Sequence, residues 1–160
     1  MIILGIDPGS HNCGYGILEV HKRLIVAAGC DLIEVNARLP LAERLTRIYS
    51  EIVQIIKQYR PDVAVVESIF YGKNIQSAFI LGQARGVILL ALAQADVKIA
   101  EYSPREIKKS VVGNGSANKE QVQYMVQKIL KLNQQPRKHD ASDALAAALC
   151  YFNKEKFTWK

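Results

Sequence analysis

Apolar residues follow two rhythms along this chain, and the alternation sets out its elements. Residues 2–6 form a short, nearly continuous apolar run, residues 15–20 a second, and residues 24–35 a third with partial alternation, a pattern that predicts three strands joined by tight turns. Three strands in succession predict an antiparallel meander. From residue 39 to 59 the rhythm changes: apolar residues fall at 41, 45, 48, 49, 52, 56 and 59 while Arg44, Arg47, Glu51 and Lys57 are expected to face away, the stripe of an amphipathic helix ended by Pro61. Residues 62–67 (DVAVVE) return to a short apolar run, as expected of a strand covered on both faces.

A long apolar stretch, residues 75–95, predicts a helix buried on most sides, either in the core or against a partner chain. Its longest unbroken apolar run after Gly86 is seven residues, well short of the ~20 that span a bilayer. Residues 97–102 predict a fifth strand, and Pro104 suits the first turn of a following helix. The loop VVGNGSANK leads into a helix with Val122, Met125, Val126, Ile129 and Leu130 on one face, and HDASDALAAALCYF reads as a final helix whose small side chains permit close approach to a sheet. The sum is a mixed α/β sheet flanked by helices.

Composition changes this picture in two ways. At 160 residues the chain fits one domain, residues 1–160 with the last few a loose tail, and a domain of this size buries roughly 70% of its unfolded surface. The net charge of +6 is concentrated: residues 98–138 hold nine Lys or Arg against three Glu, while the rest of the chain balances, so one region is expected to face a polyanion or to form a solvated basic face. Cys13, Cys30 and Cys150 are odd in number and widely spaced, which indicates neither a disulfide framework nor a zinc site and favours a reducing compartment. The amino terminus lacks the pattern of a signal peptide, so the expected location is the cytoplasm.

Two of the predicted strands end on a carboxylate, Asp7 and Glu67, and ligands of open α/β sheets collect at the carboxyl ends of strands. Asp140 and Asp143, spaced i, i+3, share one face at the start of the last helix. Each acid has an ordinary alternative: Asp140 as a helix cap, Glu67 as an arginine partner, Asp7 as support for the Pro8-Gly9 turn. Their coincidence is what these alternatives leave unexplained. Two carboxylates ~4 Å apart repel by roughly 4 kcal/mol at an effective dielectric of 20, so a cluster must take up protons or divalent cations. An all-oxygen donor set suits Mg²⁺ or Mn²⁺, and two such ions can activate a water and stabilise the leaving oxygen of a phosphodiester.

The strings GIDPGS, VVES, KNIQSAFILGQARGV, EYSPREIKKSVVGNGSANKEQVQ and HDASDALAAAL, in this order over nearly the whole chain, resemble the RuvC family of bacterial Holliday-junction resolvases. The resemblance implies a ribonuclease-H-like fold with a five-stranded mixed sheet, a bacterial cytoplasmic homodimer, and paired symmetric nicking of a four-way DNA junction with two Mg²⁺ per subunit, which Mn²⁺ can replace. It also implies a branch-migration partnership with RuvA and RuvB, and no membrane. The family's acidic tetrad falls on Asp7, Glu67, Asp140 and Asp143, and its basic residues at the scissile region on Lys108 and Lys119. His139, beside Asp140, is expected either to ligate or shuttle a proton or to face solvent. The expected DNA-facing set is Phe70, Tyr71, Lys73, Lys108, Lys109, Ser116 and Lys119, with Phe70 stacking on bases and the free N–H groups after Gly113 and Gly115 able to hold a phosphate. The expected dimer face is Phe79, Gly82, Arg85, Gly86 and Leu89, with Arg85 pairing across it; packing within the monomer is the alternative.

Three competing readings follow from the same residues. GIDPGS also resembles the phosphate loop of actin-like and sugar-kinase ATPases, but those need two lobes around a nucleotide. A dinucleotide-binding loop would want a third glycine where Glu19 stands after Gly14 and Gly16. A junction-binding protein without activity would lack a member of the acidic tetrad.

Overall fold

The computed structural model describes residues 1–68, 74–132 and 139–155. Five strands, β1 (Ile2–Asp7), β2 (Asn12–His21), β3 (Leu24–Glu34), β4 (Val63–Glu67) and β5 (Lys98–Tyr102), are interspersed with helices α1 (Leu41–Tyr59), α2 (Ile75–Gln94), α3 (Pro104–Val112), α4 (Lys119–Leu130) and α5 (His139–Glu155). They form one sheet in the order β3-β2-β1-β4-β5. β1, β2 and β3 pair antiparallel, and β4 and β5 extend the sheet in parallel from β1. The expected meander plus parallel strands is therefore the observed architecture.

Strand pleating divides the core in two. Ile3, Val63 and Val65 face one side, where they pack with Leu145 and Leu149 of α5, Ile107 and Val111 of α3, and Val122 and Val126 of α4. Leu4, Ile6, Ala64 and Val66, one residue out of phase, face the other side and pack with Ile48 and Ile52 of α1 and Ile88 and Leu92 of α2. The continuous apolar runs of β1 and β4 are explained by this double covering.

The contact of α5 with β1 and β2 is backbone to backbone. A Cβ added at Gly5 would lie 1.9 Å from the carbonyl oxygen of Ala144, and one at Gly14 would lie 2.0 Å from that of Asp140. Neither position admits any side chain, so the helix rests directly on the strands and its first turn is fixed against the end of β1.

Two expectations are corrected. Arg44 does not face away from the α1 stripe: it is 8% exposed, and Nη1 donates to His11 Nε2 at 2.9 Å. The first turn of α1 lies beside the loop that follows β1, and the loop covers the arginine. Nor does the core alone, one of the two coverings expected for it, bury α2 on most sides. Only Ala84, Ile88, Ala91 and Leu92 are buried, while Ile75, Phe79 and Leu90 stand exposed. By length and composition α2 could cross a membrane, but its buried face is part of the core shared with α1 and the sheet.

Candidate active site

The carboxyl ends of β1 and β4 lie side by side. Their ladder pairs Gly5 with Val65 and Ile6 with Val66, which brings Asp7 and Glu67 to the same level in the same pleat phase. α5 supplies the other acids, and one carboxylate oxygen from each of Asp7, Asp140 and Asp143 lies within 4.8 Å of the others. Glu67, Asp7 and Asp143 line a cleft of about 240 Å³ together with Lys108 of α3, Lys119 of α4 and the apolar Pro104, Ile107 and Val122.

Electrostatics joins all four acids into one system. Burial, then the charges of Glu67, Asp143 and Asp140, push the Asp7 carboxyl up to about 8 against the opposing pull of Lys119. Glu67 is raised to about 7 by burial and Asp143, with Lys108 and Lys119 opposing. Burial also raises Asp143, although Lys119, His139 and Lys108 draw it down. Lys119 Nζ stands 3.9 Å from Asp143 Oδ2, an ion pair at the lip of the cleft. Two lysines cannot neutralise four clustered acids, so protons or further cations must do so. A divalent cation fits these residues: the donors are hard carboxylate oxygens on different elements, close enough to converge, and no thiol stands among them.

The family model for crossover junction endodeoxyribonuclease RuvC matches residues 3–151. The chain belongs to the RuvC family. Among its curated relatives, the RuvC of Pelotomaculum thermopropionicum is 44% identical over all of this chain and 96% of its own length. That of Proteus mirabilis is 49% identical, over 96% of this chain and 88% of its own. The solved structure of Thermus thermophilus RuvC in complex with Holliday junction substrate superposes with a TM-score of 0.89 at 31% identity, covering 99% of this chain and 96% of that one. The ribonuclease-H-like fold and the endonuclease class expected from the sequence both hold.

Within this RuvC-family fold, the other expected site residues are placed as follows. His139 is the exposed first residue of α5. Lys109 is exposed on the last turn of α3. Ser116 is exposed, but its backbone N–H already donates to Asn114 Oδ1 at 2.9 Å. The start of α4 is closed by its own capping box, Asn118 with Gln121, which takes up N–H groups that were expected to be free for a phosphate. Gly113 serves instead as the left-handed residue that ends α3, with φ 84°. Phe70, Tyr71 and Lys73 lie outside the described residues.

On α2, Phe79 is exposed and Leu89 packs partly against the core. A Cβ at Gly82 or Gly86 would meet nothing within 4 Å. Arg85, expected to pair across a dimer, has its Nη2 in an ion pair with Glu101 Oε2 at 2.6 Å within the chain. The sequence reading weighed Gly14 only as part of a dinucleotide-binding loop and passed over Gly5, yet without these two glycines α5 could not bring its acids to Asp7. A signal existed: Gly14 and Gly16 alternate along one face of β2 and Gly5 lies opposite Gly16 on β1, with an alanine-rich helix later in the chain.

Proposed function

We propose that this chain is a structure-specific endonuclease that nicks four-way DNA junctions, with Asp7, Glu67, Asp140 and Asp143 as its metal-holding catalytic residues. The observation that carries the reading is the convergence of three carboxylates within 4.8 Å at the mouth of a cleft that Glu67, Lys108 and Lys119 also line. The cited relatives are named as crossover junction endodeoxyribonucleases, and one solved relative is described with a Holliday junction bound.

In this reading the four acids hold two divalent cations, Mg²⁺ or Mn²⁺, which when bound would activate the attacking water and stabilise the leaving oxygen. Asp7 and Glu67, on the rigid ends of two paired strands, fix one side of the site; Asp140 and Asp143, on the first turns of α5, fix the other. Lys119, reaching over Asp143, and Lys108, facing Glu67, offset charge that develops on the cleaved phosphate. Lys109 and Ser116 extend the contact along the DNA, with Phe70, Tyr71 and Lys73 completing the DNA-facing set.

The reading includes a homodimer, since symmetric nicks need two sites related by a two-fold axis. Helix α2 supports it. Ile75, Phe79, Gly82, Gly86 and Leu90 fall on one stripe at helical spacing, opposite the buried stripe of Ala84, Ile88 and Ala91, so the helix is apolar on both faces and only one is covered. A second copy of the same helix fits a face whose glycines leave room for close approach. A reducing, cytoplasmic setting is supported by the three free cysteines.

The test is incubation of the purified chain with a synthetic four-way junction, with Mg²⁺ and then with chelator. Mg²⁺-dependent symmetric nicking is expected. Asp7→Asn should abolish cleavage while junction binding persists, and nicking by that variant at the normal rate would refute the assignment. Nucleotide turnover without DNA would favour the ATPase alternative instead.

A further inference from the structure

We infer that Arg85 is a positioning residue for Glu67, an assignment that rests on the reading of Glu67 as a metal-holding acid. Strand β4 loses support at its end: the ladder with β1 finishes at Ile6 and Val66, so the Glu67 backbone has β5 on one side, where it pairs with Tyr102, and nothing from β1 on the other. Arg85 reaches this point from α2. Its Nε donates to the Glu67 carbonyl oxygen over 3.4 Å, a long bond whose weight comes from the full charge on the guanidinium.

A contact that long constrains nothing unless the donor is itself fixed, and Glu101 fixes it. The Arg85 Nη2 to Glu101 Oε2 ion pair is 2.6 Å, and the arginine side chain is only 18% exposed. Glu101 sits on β5 next to Tyr102, whose carbonyl accepts the N–H of Ser68 at 2.9 Å. The β4 end is thus held from three directions: by β5 through Ser68, by α2 through Arg85, and by Glu101 closing the loop between them. The carbonyl that Arg85 holds belongs to the same residue whose carboxylate faces Asp7, so loosening it displaces that carboxylate directly. The planar fork suits the task, since two of its nitrogens serve two partners at a fixed angle, whereas a lysine offers a single point of charge.

The experiment measures Mn²⁺ binding by calorimetry on the full chain without DNA, and junction binding in chelator. Arg85→Gln should weaken Mn²⁺ binding by about 10- to 100-fold, the range for residues that orient metal ligands, while junction affinity changes by less than about twofold. Arg85→Lys and Glu101→Gln should each give a smaller loss in the same direction. The double variant Glu67→Gln with Arg85→Gln should bind no more weakly than Glu67→Gln alone, because Arg85 acts through Glu67. Wild-type Mn²⁺ affinity in Arg85→Gln, or a full additional loss in the double variant, would overturn the inference while leaving the nuclease reading intact. Unchanged Mn²⁺ binding in Glu67→Gln would overturn both. Should Arg85→Gln fail to fold, Glu101→Gln, which removes the clamp from a half-exposed surface position, carries the test alone.

Discussion

Gly14→Ala tests how the site is assembled, with every acid left in place. Gly14 pairs with Asp7 across the β1–β2 ladder and lies beneath the first turn of α5. The added methyl would sit 2.0 Å from the Asp140 carbonyl oxygen, and such contacts essentially never fall below 3.0 Å, so strand and helix must part locally by about 1 Å. Further along, Gly5 remains against Ala144 and every residue of the helix from Ala144 to Phe152 is buried, so the shift is expected to concentrate at the amino-terminal turn that carries Asp140 and Asp143. A displacement of 1 Å in a catalytic group costs about 10²-fold in rate. Overpacking of this kind destabilises by about 1–3 kcal/mol, which for a chain of this size lowers Tm by only several degrees. Single-turnover cleavage of a junction at saturating Mg²⁺, alongside a thermal melt, reads both. The expected result is a folded protein cleaving about 100-fold more slowly. Gly29→Ala, on β3 where a Cβ meets nothing within 4 Å, is the matched control and should cleave normally. Cleavage by Gly14→Ala within about threefold of wild type would refute the argument that backbone contact places the helical acids.

Further outcomes follow from the electrostatics and from the surface. Asp7 and Glu67 have folded values of about 8 and about 7, above their unfolded ones, so the folded chain binds more protons than the unfolded chain between about pH 4 and 8. Without metal, stability contributed by these groups is therefore full below pH 4 and is lost as pH rises to 8, and urea denaturation in chelator at pH 5 and pH 8 should show the decline. Added Mg²⁺ should flatten it, because the cation replaces the protons. Lys119→Met removes a cation that lowers Asp7, Glu67 and Asp143 alike, so the acidic limb of the cleavage profile should move to higher pH, as a pH series of initial rates will show. Phe79→Glu, at a position 70% exposed, should leave the melt unchanged within a few degrees but convert the proposed dimer to monomer in sedimentation.

Apolar runs, helical stripes and turn residues together were sufficient for the order and type of the elements, although α2, apolar on both faces, carries no stripe of its own. Boundaries moved by one to three residues, as at α1, which begins at Leu41 after Pro40, and β2, which begins at Asn12. The acids were legible one at a time from strand ends and helical spacing, and the family resemblance grouped them; what spacing did not supply is how they converge, since that depends on the β1–β4 register and on glycine-mediated contact between elements far apart in the chain. Arg44 and Arg85 show the limit most clearly. Each is a charged residue on a helix whose stripe gives it no reason to turn inward, and each is drawn in by a partner from another element, His11 in one case and Glu101 with the Glu67 carbonyl in the other. Helical spacing contains no information about such partners.

Strand parity, finally, accounts for why the site lies where it does and why it is electrostatically unstable by itself. Odd-numbered residues of β1 and β4 face α5: Ile3 and Val63 and Val65 are in that core, and continuing the alternation by one step puts Asp7 and Glu67 on the same side, past the last apolar layer. A slip of one residue between the strands would send Glu67 to the α1–α2 face, among the apolar side chains that pack with Ile6 and Val66. The same apolar layer that enforces the register also desolvates both carboxylates, and desolvation is the largest cause of their raised values. Precision of placement and the demand for a counter-charge thus have one origin. Replacing the apolar neighbours with polar ones would relieve the acids and loosen the register together, so a cluster held this tightly must remain one that a bound cation stabilises.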